Sequence, residues 1–437
     1  MERMIEFVPL LKLVQEYIST RYAAALTDQE KHNQLRSYIS KYLNDYGYTV
    51  SGLTQEEVTE KLYREMAEFS ILTPFLHQDN VEEININAWD DVCVTYTNGK
   101  LVKLKEHFHS SQHAIDVVKR LLHQSNMIID KATPMTQGHL GSNIRITAEI
   151  APIVDESVGV AASIRLLHPS RVTLSKIVSS GMGTQDMLDF LCMCVRYGVS
   201  FVIAGVTSSG KTTLLNALMT SMPHEKRIYT IESGAREFDL VKRGRNGKIV
   251  NNVVHTLSRP SDNPAHDVAQ EKLVVGALRF NPDGIVIGEM RDVETYAAVE
   301  ASLTGHAVFS TVHAHAAEGA HTRIGLLCQK RFSIDFNTSL TQAAQAFPIV
   351  VYCHKLESNE RKIMDVTECE ILPNGERKYH SLFSYHITKN EIISGKTVIE
   401  GEFVRGKGIS PSLQRRLLQG GVPRTELERF CAKEVAA

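Results

Sequence analysis

Cysteine pairing is the first thing this 437-residue sequence lacks. Its seven cysteines, from Cys93 to Cys431, are scattered and none forms a CxxC pair, so neither a zinc ribbon nor a disulfide framework is expected. Long apolar runs are missing as well. The longest uncharged stretch, residues 336–354, contains Asn337, Gln342, Gln345 and Pro348, which suits a buried helix and strand rather than a membrane span. Glu2, Arg3 and Glu6 sit where a signal peptide would need its apolar core. These absences lead us to expect a cytoplasmic protein. An excess of one charge is absent too: 48 Lys and Arg face 50 Asp and Glu, a formal net charge of −2. That leaves no overall electrostatic footprint for nucleic acid or an anionic membrane, although a local basic patch stays open.

What is present is globular material, 43% hydrophobic and 22% charged, long enough for two or three domains. Residues 1–75 read as a polar helical segment, with apolar spacings such as Leu10, Val14, Tyr17, Ile18 and Leu35, Tyr38, Ile39, Tyr42. Residues 76–170 change character. Ile84 and Ile86, then Val92, Val94 and Tyr96, alternate with polar residues, and Asn98-Gly99 supplies a hairpin turn. A helix over 112–129 and strands near 144–154 and 159–167 complete an α+β domain. Residues 171–183, overlapping the stretch Pro169–Ser180, are expected to be a linker. Over 184–355 strands and helices alternate, and strands such as 199–204 are apolar throughout, as when both faces are buried. That predicts an α/β domain with a mainly parallel sheet. Residues 356–437 are expected to form a C-terminal α+β extension, with short strands around Asn374-Gly375 and a helix near Leu413–Leu418.

The strongest chemical signal is Gly205-Val206-Thr207-Ser208-Ser209-Gly210-Lys211-Thr212, which fits G-x-x-x-x-G-K-[ST] without mismatch. A buried strand precedes it, and an apolar helix with Leu214, Leu215 and Leu218 follows. The glycines let the backbone wrap a phosphate, with successive amides pointing inward as an anion nest. The helix N-terminus adds partial positive charge. Lys211 is expected to reach the β and γ phosphates of ATP, the Thr212 hydroxyl to ligate Mg2+, and Thr213 to complete the binding set.

Such a loop needs an acid on a second strand, and Asp283-Gly-Ile-Val-Ile-Gly-Glu289 supplies one. Glu289 would emerge at the strand's end, able to orient or activate a water for attack on the γ-phosphate. Gly288 stands where an Asp is usual before this acid, so Mg2+ is expected to be held by Glu289 through water. Two further polar clusters end strands: Thr230-Ile231-Glu232 leading to Glu237, and Thr311-Val312-His313 after Gly305-His306. Each reads either as a γ-phosphate sensor or as a solvated loop.

Together these residues resemble the secretion and pilus-assembly ATPases of type II and type IV secretion systems, and within them the CpaF-like ATPases of tight-adherence (Flp) pili. The resemblance runs from about Val81 onward. It rests on four ordered motifs: the phosphate loop 205–212, an acidic box from Thr230 to Glu237, an atypical Walker B at 285–289, and a His box from Gly305 to Ala314. The acidic box departs from the family pattern, which reads Ile-Glu-Asp. Ser233 replaces the Asp, and Glu237 lies five residues after Glu232 instead of four. No tetracysteine insertion of the type II branch is present.

The resemblance implies a RecA-like P-loop ATPase domain after an α+β N-terminal domain, assembled as a homohexamer with nucleotide held between the two domains. It implies catalytic roles for Glu232, Glu289, Lys211 and His313. It also implies phosphate contacts from N-domain arginines, here Arg145 and Arg165, with Arg171 a weaker candidate; arginine's fixed fork suits phosphate oxygens. The expected partner is an inner-membrane platform protein, with the chain peripheral at the cytoplasmic face and nucleic acid not expected. A conjugative DNA-transfer ATPase is the competing reading. A small-molecule kinase would leave the His box unexplained.

Overall fold

The computed structural model describes residues 3–22, 32–125, 127–141, 143–167, 172–234, 236–259, 263 and 265–431. Arg171 lies outside the described residues. The chain divides after Leu167 into two compact units.

The first unit begins with three helices, α1 (Phe7–Arg21), α2 (His32–Tyr46) and α3 (Gln55–Ala67). Leu10, Val14 and Ile18 of α1 meet Leu35, Ile39 and Leu43 of α2 and Val58 and Leu62 of α3 in a small core of their own. The spacing by four puts each set on one face. Thr54 caps α3 reciprocally with Glu57, fixing where that helix starts. Then follow β1 (Val81–Ala88), β2 (Asp91–Tyr96), β3 (Leu101–Lys103), α4 (Ser111–His123), β4 (Met135–Leu140), β5 (Ile144–Ile150) and β6 (Val160–Leu166). The strands form an antiparallel sheet in the order β3-β2-β1-β6-β5-β4. Alternation sends Ile84, Ile86, Ile144, Ile146 and Ile164 into one core with Val117, Val118, Leu121 and Leu122 of α4.

In the second unit the expected linker is partly helical. Thr173 caps α5 (Leu174–Ser179), and Ile177 is buried in this unit's core. Next come α6 (Gln185–Tyr197), β7 (Phe201–Gly205), α7 (Lys211–Met219), β8 (Arg227–Glu232), β9 (Asn252–Leu257), α8 (Gln270–Ala277), β10 (Gly284–Ile287), α9 (Glu294–Leu303), β11 (Ala307–Val312), α10 (Ala317–Gln329), α11 (Phe336–Ala346) and β12 (Ile349–Lys355). Three more strands, β13 (Arg361–Ile371), β14 (Arg377–Ile393) and β15 (Lys396–Arg405), precede α12 (Pro411–Gln419). One sheet takes them all in the order β9-β8-β10-β11-β7-β12-β13-β14-β15. It is parallel as far as β12 and antiparallel beyond.

Along β7, Phe201 and Ile203 enter one core while Val202 and Ala204 enter another, so helices cover both faces of the parallel part. The fold is α/β and RecA-like, with one strand, β11, between the phosphate-loop strand β7 and the acid-bearing β10. The strands after 360 are not short as expected. They run 11, 17 and 10 residues. Asn374-Gly375 does turn the chain between two of them, but much of β14 and β15 is exposed, so the apolar alternation that marks strand length is weak. No helix among the described residues is long and apolar enough to cross a membrane.

Candidate functional site

The loop between β7 and α7 is shaped by what surrounds it. A Cβ on Gly205 would lie 2.3 Å from the Cys353 carbonyl oxygen, so only glycine fits. Gly210 has φ +90°, and a Cβ there would also press within 3.3 Å of Arg361 and Met182. Ser208 adopts φ +61°, left-handed without being glycine. Ser209 is buried, and its hydroxyl donates to the Val206 carbonyl at 2.8 Å. The Lys211 ammonium lies buried in the curl, donating to the carbonyls of Gly205 at 3.0 Å and Val206 at 2.8 Å. Thr212 is half-buried in the first turn of α7, Thr213 is exposed, Val206 is half-buried and Thr207 is exposed. A buried ammonium in a glycine-bounded curl at a helix N-terminus is a cradle for phosphate.

Strand order explains the next pair. β10 and β11 are parallel neighbours with Ile287 opposite Ser310, so the residues just past their ends emerge together. Glu289 Oε1 stands 3.2 Å from His313 Nε2. Past the end of β10 the two segments stay joined: the Met290 N–H donates to the Thr311 carbonyl of β11 at 2.9 Å, and Thr311 Oγ1 donates to the Gly288 carbonyl at 2.7 Å. Both side chains stay partly open, at 35% exposure for Glu289 and 45% for His313. Burial, helped by the Lys211 and Arg323 charges, lowers the His313 pKa against the opposing pull of Glu289. A neutral imidazole carrying its proton on Nε2 would have one Glu289 carboxylate oxygen within reach and leave the other for a water.

Glu232 ends β8 on the same edge, but it is buried at 2% exposure. Its carboxylate accepts the backbone amides of Glu237 and, at 2.9 Å, Phe238, so it anchors the loop that follows. The amide of Glu237, not its carboxylate, makes this contact. Ser233, where the family has Asp, accepts from Arg291 at 3.1 Å. A Cβ on Gly288 would lie within 3.9 Å of Glu232, so an Asp at 288 would set a second acid against this carboxylate.

Two residues at the site carried no sequence signal. His255 on β9 brings Nδ1 to 2.8 Å from the Thr230 hydroxyl and 3.8 Å from Glu232. Arg361, 153 positions beyond Ser208, donates from Nε to the Ser208 carbonyl at 2.9 Å. Only the sheet order reveals either one.

Arg145 and Arg165 face each other in register on β5 and β6 of the first unit, with Glu83 opposite Arg165. They lie on the polar face of that sheet, away from the α4 core.

The first unit also gathers Glu65, His109 and His113 closely enough to suggest a metal. Glu65 is buried; burial pushes its pKa up, but hydrogen bonds from His109, His113 and Ser70 outweigh that and hold it down at about 2. The His109 amide donates to His113 Nδ1 at 3.2 Å, and the Nε2 atoms of His113 and His109 stand 2.9 and 3.5 Å from the Glu65 carboxylate. The cluster ties the end of α3 to the start of α4, as does Arg120, which donates to the Glu65 and Met66 carbonyls.

A family model described as "Type II/IV secretion system protein" matches residues 65–396, well over half of the chain. It leaves α1, α2 and α12 outside. An uncharacterized protein of Methanocaldococcus jannaschii is 26% identical over 284 residues, 63% of this chain but 37% of that one. A putative conjugal transfer protein of Mycobacterium tuberculosis is 25% identical over 333 residues, covering 74% and 90%. The type IV secretion system protein PtlH of Bordetella pertussis is 30% identical over 191 residues, covering 42% and 54%. Thus the chain spans about a third of the first relative's length and about half of the last. Among solved structures, the pilus retraction motor PilT with bound ADP aligns at 16% identity with a TM-score of 0.48, covering 83% and 89%.

Proposed function

The chain belongs to the type II/IV secretion system protein family, and from that premise we propose that it is an ATP-hydrolysing motor that powers a pilus of the Flp type or a secretion machine. The observation that carries the reading is the gathering of Lys211, Glu289 and His313 on one sheet edge around a loop shaped for phosphate. The loop amides and Lys211 bind the β and γ phosphates. Bound Mg2+ would neutralise phosphate charge, and the residues that suit it are Thr212 and, through water, Glu289. Glu289, held by neutral His313, orients a water whose oxygen attacks the γ-phosphorus. The bond to the leaving ADP oxygen breaks, and the water's proton passes toward the carboxylate. Glu232 sets the loop beside this edge. Arg145 and Arg165 remain candidate phosphate ligands, and the working form is a homohexamer docked on an inner-membrane platform protein.

A second reading, a conjugative DNA-transfer ATPase, is favoured by the name of the mycobacterial relative. One experiment separates them. Phosphate release is measured with and without DNA, and cells carrying only Glu289→Gln are scored for filaments, secreted cargo and DNA transfer. Loss of filaments or cargo supports the motor. Stimulation by DNA, with loss of DNA transfer alone, replaces it with the second reading.

A further inference from the structure

We infer that Arg361 is a positioning residue for nucleoside di- and triphosphate, holding the phosphate loop open to its ligand from the antiparallel half of the sheet; the inference rests on the nucleotide reading above. Ser208 is the loop's tip, and its left-handed backbone costs a non-glycine residue about 1 kcal/mol. Such a conformation persists only when its surroundings over-determine it. With amides turned inward to form the nest, the Ser208 carbonyl must turn outward, and a charge-assisted hydrogen bond from the Arg361 Nε receives it there at 2.9 Å.

The arginine is itself held in place. β12 runs parallel to β7 with Cys353 opposite Gly205 and continues two residues further before it turns. The turn closes with Leu356 donating to the Glu360 carbonyl at 2.8 Å, and Arg361 returns opposite Lys355, so the hairpin tip overhangs the loop. The next two residues are anchored to the segment after α5. Lys362 Nζ donates to the Gly181 carbonyl at 2.9 Å, and the Ile363 amide donates to Met182 at 2.7 Å. The arginine stem meanwhile packs where a side chain on Gly210 would stand, 3.3 Å from that missing Cβ.

The contact is to loop backbone that cradles every phosphate, not to the γ-phosphate. ATP and ADP should therefore weaken together. Glu289 and His313 leave other strands, so turnover at saturation should hold. The test titrates the full chain and its Arg361→Gln and Arg361→Lys variants with fluorescent ATP and ADP, alongside steady-state phosphate release. Arg361→Gln should raise Kd for both nucleotides and KM for ATP about tenfold, as for one lost charge-assisted bond, with kcat within about twofold. Arg361→Lys, which keeps a donor, should fall between. In a Ser208→Gly background, where the backbone strain is gone, the Arg361→Gln penalty should shrink; a residue that only supports folding would show no such coupling. Unchanged Kd in Arg361→Gln overturns the inference, as does weakening of ATP alone. If Arg361→Gln does not fold, Arg361→Lys with a wild-type KM overturns it too. A wild-type chain that binds neither nucleotide sinks the nucleotide reading itself, a result no arginine variant would produce.

Discussion

The two halves of the nine-stranded sheet obey different rules. From β9 to β12 the strands are parallel and mostly buried on both faces, and each chemical group leaves at a carboxyl end: the phosphate loop after β7, Glu232 on β8, Glu289 after β10 and His313 after β11. Parallel strands all end on one edge, so chemistry collects there. From β12 to β15 the strands are antiparallel, and alternate turns fall on opposite edges. The β12–β13 hairpin meets the phosphate loop, with Cys353 opposite Gly205 and Arg361 on the Ser208 carbonyl. The antiparallel half also ties down the C-terminal segment: the Ser410 amide donates to the Glu368 carboxylate of β13 at 2.8 Å, and Leu413 and Leu417 of α12 share a core with Val366 and Phe383. One half holds reacting groups, and the other braces them.

Substitutions can break that division, the largest effects falling in the parallel half. Lys211→Ala should reduce phosphate release to background and weaken ATP binding at least about a hundredfold, because the phosphates lose a buried charge-assisted donor. Wild-type release in this variant would remove the phosphate loop from the mechanism. Glu289→Gln should keep ATP affinity and slow turnover by on the order of a hundredfold, since the amide preserves shape but cannot take a proton. If affinity and turnover fall together, Glu289 acts on metal or fold instead.

In the antiparallel half the expected readout is stability. Leu417 is fully buried on α12, and Leu417→Ala should cost about 2–5 kcal/mol of unfolding free energy by leaving a cavity. Denaturant melts should record that loss while KM for ATP stays put. A raised KM would mean that bracing reaches the nucleotide by more routes than Arg361.

The parallel half was the legible one. Its loop, its apolar strands and Glu289 are local patterns, each contained within about ten residues, and local patterns need no fold to be seen. What required the fold was everything set by strand order. Nothing in the spacing says that β11 lies next to β10, so the contact between His313 and Glu289 was invisible although both residues were named. Arg361 and His255 were missed for the same reason. Glu232 was found as a residue but not as a buried anchor, because the amides that claim it belong to a loop without periodicity. The helix at 174–179 hid in a stretch too short and polar to signal one, and the length of β14 and β15 hid in their exposure.

The smallest effect concerns pH, and it tests whether His313 works as the neutral partner of Glu289. Burial and the Lys211 and Arg323 charges lower its pKa below the ordinary 6.5, with Glu289 pulling the other way. The folded protein thus prefers the neutral ring. Whatever this group adds to stability or activity is fully present above pH 6.5 and is lost only as pH falls through the lower folded value. A protonated ring would still bond Glu289, but its charge would face Lys211 and Arg323 and draw the carboxylate away from water. Turnover should therefore stay level from pH 8 down through 6.5 and decline only below it. The chain has 18 histidines, so the useful quantity is the ratio of wild type to His313→Gln at each pH, at saturating ATP. That ratio should be constant above pH 6.5 and drop below it, by about tenfold at most for a positioning contact. A break in the ratio above pH 6.5 would mean that the Glu289 charge outweighs burial and the two cations, and that the working form of His313 is the imidazolium.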